Sequence, residues 1–322
     1  MRKKSVRAIV SVLILAVAGA VVWKCHKSWL AGYYAERLAS TPNGEAEAAI
    51  DRLAGFGDAA VPHLLRLLHQ DVPACQHAGK TLAKIIDDYP ADDDRVIALA
   101  GKIREDYSQF SPQGRHAALA LIEALMARNN QCDQHCREIV HAGLQDEVAA
   151  NREQAIVLAM RNEIHGEAEV IAMLRDPDPT VRRHAMLAVG LARELISDDD
   201  LLRWLHDGDA GVCELCAAAL RGRGLREKDV TMGRLITDPS FLKRLEVLNY
   251  LDGDDELDPQ AWLGRLSQDS VPAVRAAALR VAMEFEGAHE LDFVPRARLM
   301  AANDPDGTVR QMANEMLQRK SR

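Results

Sequence analysis

From about residue 45 onward, short amphipathic stretches alternate with turn-forming residues, and no period-two alternation of useful length interrupts them. This pattern predicts helices throughout. The stretches also repeat. Asp176-Pro177-Asp178-Pro179-Thr180-Val181-Arg182 leads to Ala185, and Asp207-Gly208-Asp209-Ala210-Gly211-Val212 leads to Cys216 at the same offset of nine. Asp238-Pro239 with Arg244 and Val247, and Asp269 with Val274, Arg275 and Ala278, follow at successive spacings of 31 residues. A fifth copy, Asp304 to Arg310 with Ala313, starts 35 residues later, and Asp146 with Arg152 and Ala155 lies 30 residues before Asp176. Arg115 with Ala118, and Cys75 with Ala78, continue the phase more loosely.

A period of this length, in which one unit is a helix pair too small to bury its own apolar face, predicts a stacked α-solenoid. The expected fold is therefore all-α: about eight helix pairs over residues 45–322, a linker over 28–44, and one N-terminal apolar helix within residues 1–27. In each unit the leading Asp is expected to cap the second helix by accepting from its unpaired backbone N–H groups. Offsets five, nine, twelve and thirteen from that Asp share one stripe of a helical wheel. In the unit starting at 176 they are Val181, Ala185, Ala188 and Val189, the expected core. Offset nine is small or medium in every unit, as close helix approach requires.

The pattern Asp-Pro-x-x-x-Val-Arg-x-x-Ala in Asp176 to Ala185, with looser copies in Asp269 to Ala278 and Asp304 to Ala313, resembles the HEAT repeat family, including its short form named after phycobilisome lyases. The likeness runs over roughly 45–320 and is strongest after 146. It implies that Asp176 and Arg182, Asp269 and Arg275, and Asp304 and Arg310 form a ladder of polar contacts between units. Cys75 and Cys213 stand where the Arg would be, so the ladder is expected to break there.

Composition agrees with helices: aromatic residues are only 4% of the chain, too few for a typical strand-built core. The net charge of -8 opposes nucleic-acid binding, which depends on clustered Lys and Arg. The first 30 residues differ from the rest. Arg2, Lys3, Lys4 and Arg7 precede the uncharged run Ala8 to Trp23, and Lys24 and Lys27 follow it. Residues 8–23 are expected to meet a membrane. At 1.5 Å per residue the run falls somewhat short of a bilayer core of about 30 Å, and flanking lysines with Trp23 and Trp29 would extend it. Ala16-Val17-Ala18 and Ala18-Gly19-Ala20 are also small-x-small cleavage sites, which leaves a removed signal peptide, and hence a secreted or periplasmic product, as the alternative. The denser positive charge before the run places the solenoid on the extracytoplasmic side.

Chemistry is hard to find. Asp252 to Asp258 and Asp207-x-Asp209 are acidic, but neither supplies both the Gly and the Glu of a calcium loop. Cys132-x3-Cys136 and Cys213-x2-Cys216 have no second pair nearby to complete a zinc site, so no metal is expected. In an oxidising compartment Cys132 and Cys136, one helical turn apart, have the spacing for a local disulfide. The eleven histidines are scattered and expected at the surface or at helix ends. No G-x-S-x-G, P-loop or G-x-G-x-x-G occurs, so neither a cofactor nor catalysis is expected. What remains is the face of the second helices opposite the core. Offsets seven and eleven place Arg183 and Leu187, Glu214 and Ala218, Leu245 and Asn249, Ala276 and Arg280, and Gln311 and Glu315 there. Mixed charge with exposed Leu187 and Leu245 suits a protein or peptide partner. The expected function is a membrane-tethered, non-enzymatic binding scaffold. The alternative is a lyase-like or other enzyme accessory that holds a small molecule.

Overall fold

The computed structural model describes residues 26–251, 257–285 and 292–320. The expected apolar helix, with residues 8–23, lies outside the described residues, as do positions 252–256 of the acidic stretch. The described chain is all-α: its regular elements are helices, and no strand occurs among the described residues. None of those helices is long and apolar enough to cross a membrane.

Local chemistry explains where helices begin. Ser111 accepts from Gly114 N–H, Ser197 from Asp200 N–H and Asp258 from Gln260 N–H, each satisfying a donor that the first helical turn leaves unpaired. Pro62, Pro112, Pro259 and Pro295 occupy first-turn positions, where the missing N–H costs nothing. Gly114 meets a stricter demand. The backbone there abuts the Leu68 carbonyl so closely that a Cβ would fall 1.8 Å from its oxygen, the same oxygen to which Ser111 N–H donates at 3.1 Å.

Contacts divide the chain into two compact units, residues 1–188 and 189–322. In the first, Glu47–Ala54 and Val61–Leu67 pack on Ala74–Asp88, which packs on Pro112–Ala120, which in turn packs on Ala149–Ala159. Asp94–Asp106 and Asp133–Leu144 form the companion row. In the second unit, Phe241–Leu251, Pro272–Phe285 and Gly307–Lys320 stack in sequence, each also meeting its preceding helix: Glu227–Ile236, Pro259–Leu266 and Val294–Asn303. Ala78, Ala118, Ala155, Ala185, Cys216, Val247, Ala278 and Ala313, all at offset nine, are fully buried. Larger side chains fill the layer between rows. In the second unit these are Trp262, Leu263, Leu266 and Phe293, each worth roughly 1.5–3 kcal/mol when removed from water.

Three expectations need correction. Residues 28–44 are not a linker, because 26–39 is a helix whose stripe of Ala31, Ala35 and Leu38 is buried. It is tied down by the Leu38 carbonyl, which accepts from His77 Nδ1 at 3.0 Å. His77 is accordingly in the interior, not at the surface. The leading Asp of a unit does not cap the second helix. Asp176 accepts from Asp178 N–H at 2.8 Å and closes the turn, whereas Asp178 caps by accepting from Thr180 N–H at 2.8 Å. Asp304 and Asp306 divide the work in the same way. The reason is reach: a carboxylate folded onto its own turn is committed before the helix starts.

Both oxygens of that carboxylate are gripped by the Arg of the preceding unit, which completes the arrangement. Arg152 grips Asp176 through two bonds of 2.7 Å, Arg244 grips Asp269 at 2.6 and 2.9 Å, and Arg275 grips Asp304 at 2.8 and 2.7 Å. Arg115 holds Asp146 at 2.6 and 3.1 Å. The remaining Nη1 donates to the carbonyl of the Arg's own leading Asp. The distances are 2.7 Å from Arg152, 2.8 Å from Arg182, Arg244 and Arg275, and 2.7 Å from Arg310. Cys213, in the Arg position, reaches the Asp207 carbonyl with its thiol at 3.3 Å, and so keeps the bond within the turn without a guanidinium.

Because Arg275 and Asp304 keep only 8% and 5% of their side-chain exposure, removing one partner leaves a buried charge. Arg275→Met is expected to cost about 3 kcal/mol, and adding Asp304→Asn, which retains the turn bond, to recover much of that. Urea unfolding of the single and double variants checks this; equal midpoints would count against a buried-charge penalty. The Arg275 guanidinium holds the Asp304 carboxyl below its ordinary range. At Asp146 burial opposes the charge, but Arg115, Val148 N–H and Asn151 outweigh it, so its pKa is also lowered. A folded-state pKa below the unfolded value of about 3.9 gives stability that is present above that value and lost as pH falls through the folded one. The thermal midpoint is therefore expected to be level near neutrality and to fall below about pH 4. Circular dichroism melts across that range, with Asp304→Asn showing the shallower fall, check it.

Candidate functional site

In the first unit three consecutive second helices, Ala74–Asp88, Pro112–Ala120 and Ala149–Ala159, present small side chains along one side. Gly79, Ala83, Ala117, Ala120 and Ala150, with Leu121, line a groove of about 490 Å³. At Gly79 a Cβ would come within 3.0 Å of the Ala117 Cβ, so glycine lets these two helices approach. Gln76, Lys80, Gln113 and His116 supply the groove's longer polar side chains. Among the described residues Lys80 has no carboxylate partner.

One polar residue is built into the groove wall. Asn151 sits at offset five, where Val181, Val212, Val274 and Val309 fill the core in other units. It is 1% exposed. Its Nδ2 donates to the Pro112 carbonyl at 3.0 Å and to Asp146 Oδ2 at 3.1 Å. That commits Oδ1 as an acceptor, and it faces His116 Nδ1 at 3.2 Å. The Gln154 side-chain amide also meets Nδ1, at 2.9 Å, so Asn151 and Gln154 together hold the ring. A chain of bonds thus runs from Arg115 through Asp146 and Asn151 to His116, from the inter-helix ladder to the groove.

Among the described residues the groove's lining includes no Asp, Glu, Cys, Ser or Thr. It offers apolar surface, a fixed imidazole, amides and one cation. Lys80 and His116 are its titratable side chains.

The residues expected from the wheel are placed as follows. In the first unit Arg183 is half-buried and Leu187 is 63% exposed. In the second, Glu214, Ala218, Asn249, Arg280, Gln311 and Glu315 are exposed, with Gln311 donating to Glu315 at 3.0 Å. Leu245 is a correction: it is half-buried and packs against the core, as does Ala276. Offset seven is half-buried at Arg183, Leu245 and Ala276, where a neighbouring helix covers it, and exposed at Glu214 and Gln311, while offset eleven stays outside throughout. Sequence reasoning missed the groove because the repeat is weakest before residue 146. Its available signal was Asn151, a polar residue in a core register.

Other groups are absorbed by structure. Cys132 and Cys136 are buried free thiols with sulfurs 3.6 Å apart. A hydrogen bond from Cys136 lowers the Cys132 pKa, and that same bond, together with burial, raises Cys136. Arg223, in the Gly-Arg-Gly stretch, is enclosed in the second unit. It donates to the carbonyls of Gly190 at 2.7 Å and Ile196 at 2.9 Å, and to Asp198 at 2.8 Å. Asp209 caps its helix by accepting from Val212 N–H, and Asp258 begins another. Among the described residues no three His, Cys, Asp or Glu side chains converge as metal ligands would.

Asn151→Val introduces the residue that four other units carry at this offset but strands Asp146 and His116. It is expected to lower unfolding free energy by about 1 kcal/mol, read from urea unfolding; a gain in stability would show that the polar chain is held at a cost.

No known protein-family model matches this chain. No curated protein matches it either. Among solved structures, a crystal structure described as an engineered protein, a Northeast Structural Genomics Consortium target, is 14% identical over 91% of this chain and 89% of that one, with a TM-score of 0.35. A likeness of that size assigns neither fold family nor function.

Proposed function

We propose that this chain is a solenoid of about eight HEAT-type helix pairs acting as a non-enzymatic scaffold. It is tethered to a membrane through residues 8–23, has its repeats on the extracytoplasmic side, and binds a protein or peptide segment on its second helices. The observation that carries the reading is the groove over residues 76–151, with its apolar floor and its His116 anchored through Asn151. An apolar side chain of the partner fills the floor, and a polar group meets the His116 imidazole. Lys80, without an internal carboxylate, favours an acidic residue beside that anchor. The repeat spacing supports the HEAT assignment, and the uncharged run supports the tether. The overall acidic charge disfavours nucleic acid. Metals and cofactors have no part in the mechanism.

One observation favours a second reading. A cavity of about 490 Å³ lies within the roughly 300–1,000 Å³ range of small-ligand sites, which suits an accessory protein holding a small molecule.

Photo-crosslinking from Gln113 in the native membrane separates the two. The scaffold reading expects one partner segment to be labelled, and Ala120→Trp, which fills the groove, to weaken its binding at least about tenfold. Arg183→Ala, Asn249→Ala and Arg280→Ala together test the outer row in the same assay. Retention of a small molecule by the purified parent and not by Ala120→Trp, with no peptide labelled, would replace the scaffold with the accessory.

A further inference from the structure

Helix 26–39 buries one face and leaves the other with an unusual composition for a surface. Ala31, Ala35 and Leu38 are enclosed, while His26, Trp29, Tyr33 and Arg37 form the opposite stripe. Trp29 is 67% exposed and Tyr33 46%. The rings of His26 and Trp29 stack with centroids 6.4 Å apart, those of Trp29 and Tyr33 with centroids 6.3 Å apart. Arg37 closes the row, its guanidinium 5.8 Å from the Tyr33 ring centre and bonded to the phenol oxygen at 3.3 Å. An isolated exposed aromatic side chain is ordinary. A stacked pair is not, in a chain with only 4% aromatic residues.

The charge of the chain is divided at the same place. Seven of its 40 basic residues and one of its 48 acidic residues fall within positions 1–37, so this end is net +6 and the remainder is net -14. An anionic surface would attract this end and repel the rest. Tryptophan and tyrosine concentrate at the boundary between hydrocarbon and water, where an apolar ring and a polar edge are both satisfied. The uncharged run ends at Trp23, and His26 begins the stripe three residues later.

We infer that the His26, Trp29, Tyr33 and Arg37 face of helix 26–39 lies against the headgroup layer of a phospholipid bilayer containing anionic lipid. Trp29 and Tyr33 enter the interface, and Arg37 meets lipid phosphate. The tether then has two parts, the run 8–23 in hydrocarbon and this helix face at the surface. The inference rests on the membrane reading of residues 8–23.

The test uses the full chain in vesicles of phosphatidylcholine and phosphatidylglycerol whose acyl chains carry bromine near the headgroup end. Flotation first establishes whether the chain is bound. Subtracting the emission of Trp29→Phe from that of the parent isolates Trp29, since Trp204 and Trp262 cancel; Trp23→Phe isolates Trp23 likewise. The expected result is a floating chain whose Trp29 emission is shifted to shorter wavelength and mostly quenched. A floating chain with Trp23 quenched and Trp29 emitting as a water-exposed indole would overturn the inference and leave the tether standing. A chain that does not float would remove the tether and the inference together.

Discussion

A carboxylate enters the interior of a helical stack only if something there replaces the hydrogen bonds that water supplied. In this chain the replacement is a guanidinium from the preceding helix pair. Arg275 returns two bonds to Asp304 and spends its third nitrogen on the carbonyls of its own turn. One side chain therefore closes a turn and fixes the distance to the next. The planar fork of arginine permits this, and lysine, with a single ammonium, could not hold both partners at once. The close approach of second helices, and the small residue at offset nine that such approach demands, follow from that spacing.

Departures from the pattern are as informative as its copies. Cys213 keeps the bond within the turn and gives up the bond forward. Arg223 is a guanidinium of another kind, buried to satisfy carbonyls of the irregular stretch from Gly190 to Ile196, which has no helical partners for them. Asn151 exchanges a core valine for an amide with three partners. A buried amide so fully committed orients whatever it touches, and what it touches is the one imidazole on the groove. The same small residues that let helices approach at Gly79 and Ala117 also leave the groove open above them. Packing and recognition here use one choice of side chain.

Much of this was legible in the chain. The spacing of Asp176, Asp207, Asp238 and Asp269 announced helix pairs, and the offset-nine residues marked the interior before any coordinate did. The segment 28–44 was misread because its stripe of Ala31, Ala35 and Leu38 is short and weakly apolar; only the neighbouring His77 shows why it is ordered. Leu245 looked exposed on a wheel because a wheel describes one helix and knows nothing of the helix beside it.

Sequence by itself determined the helical class, the period, the identity of the turn residues and the acidic balance, since each depends on interactions within about one repeat. Tertiary structure decided which Arg grips each leading Asp, that a neighbouring helix covers Leu245 and Ala276, and that Asn151 reaches His116. Those outcomes join residues some 24 to 39 positions apart, and their geometry exists only after the helices have packed.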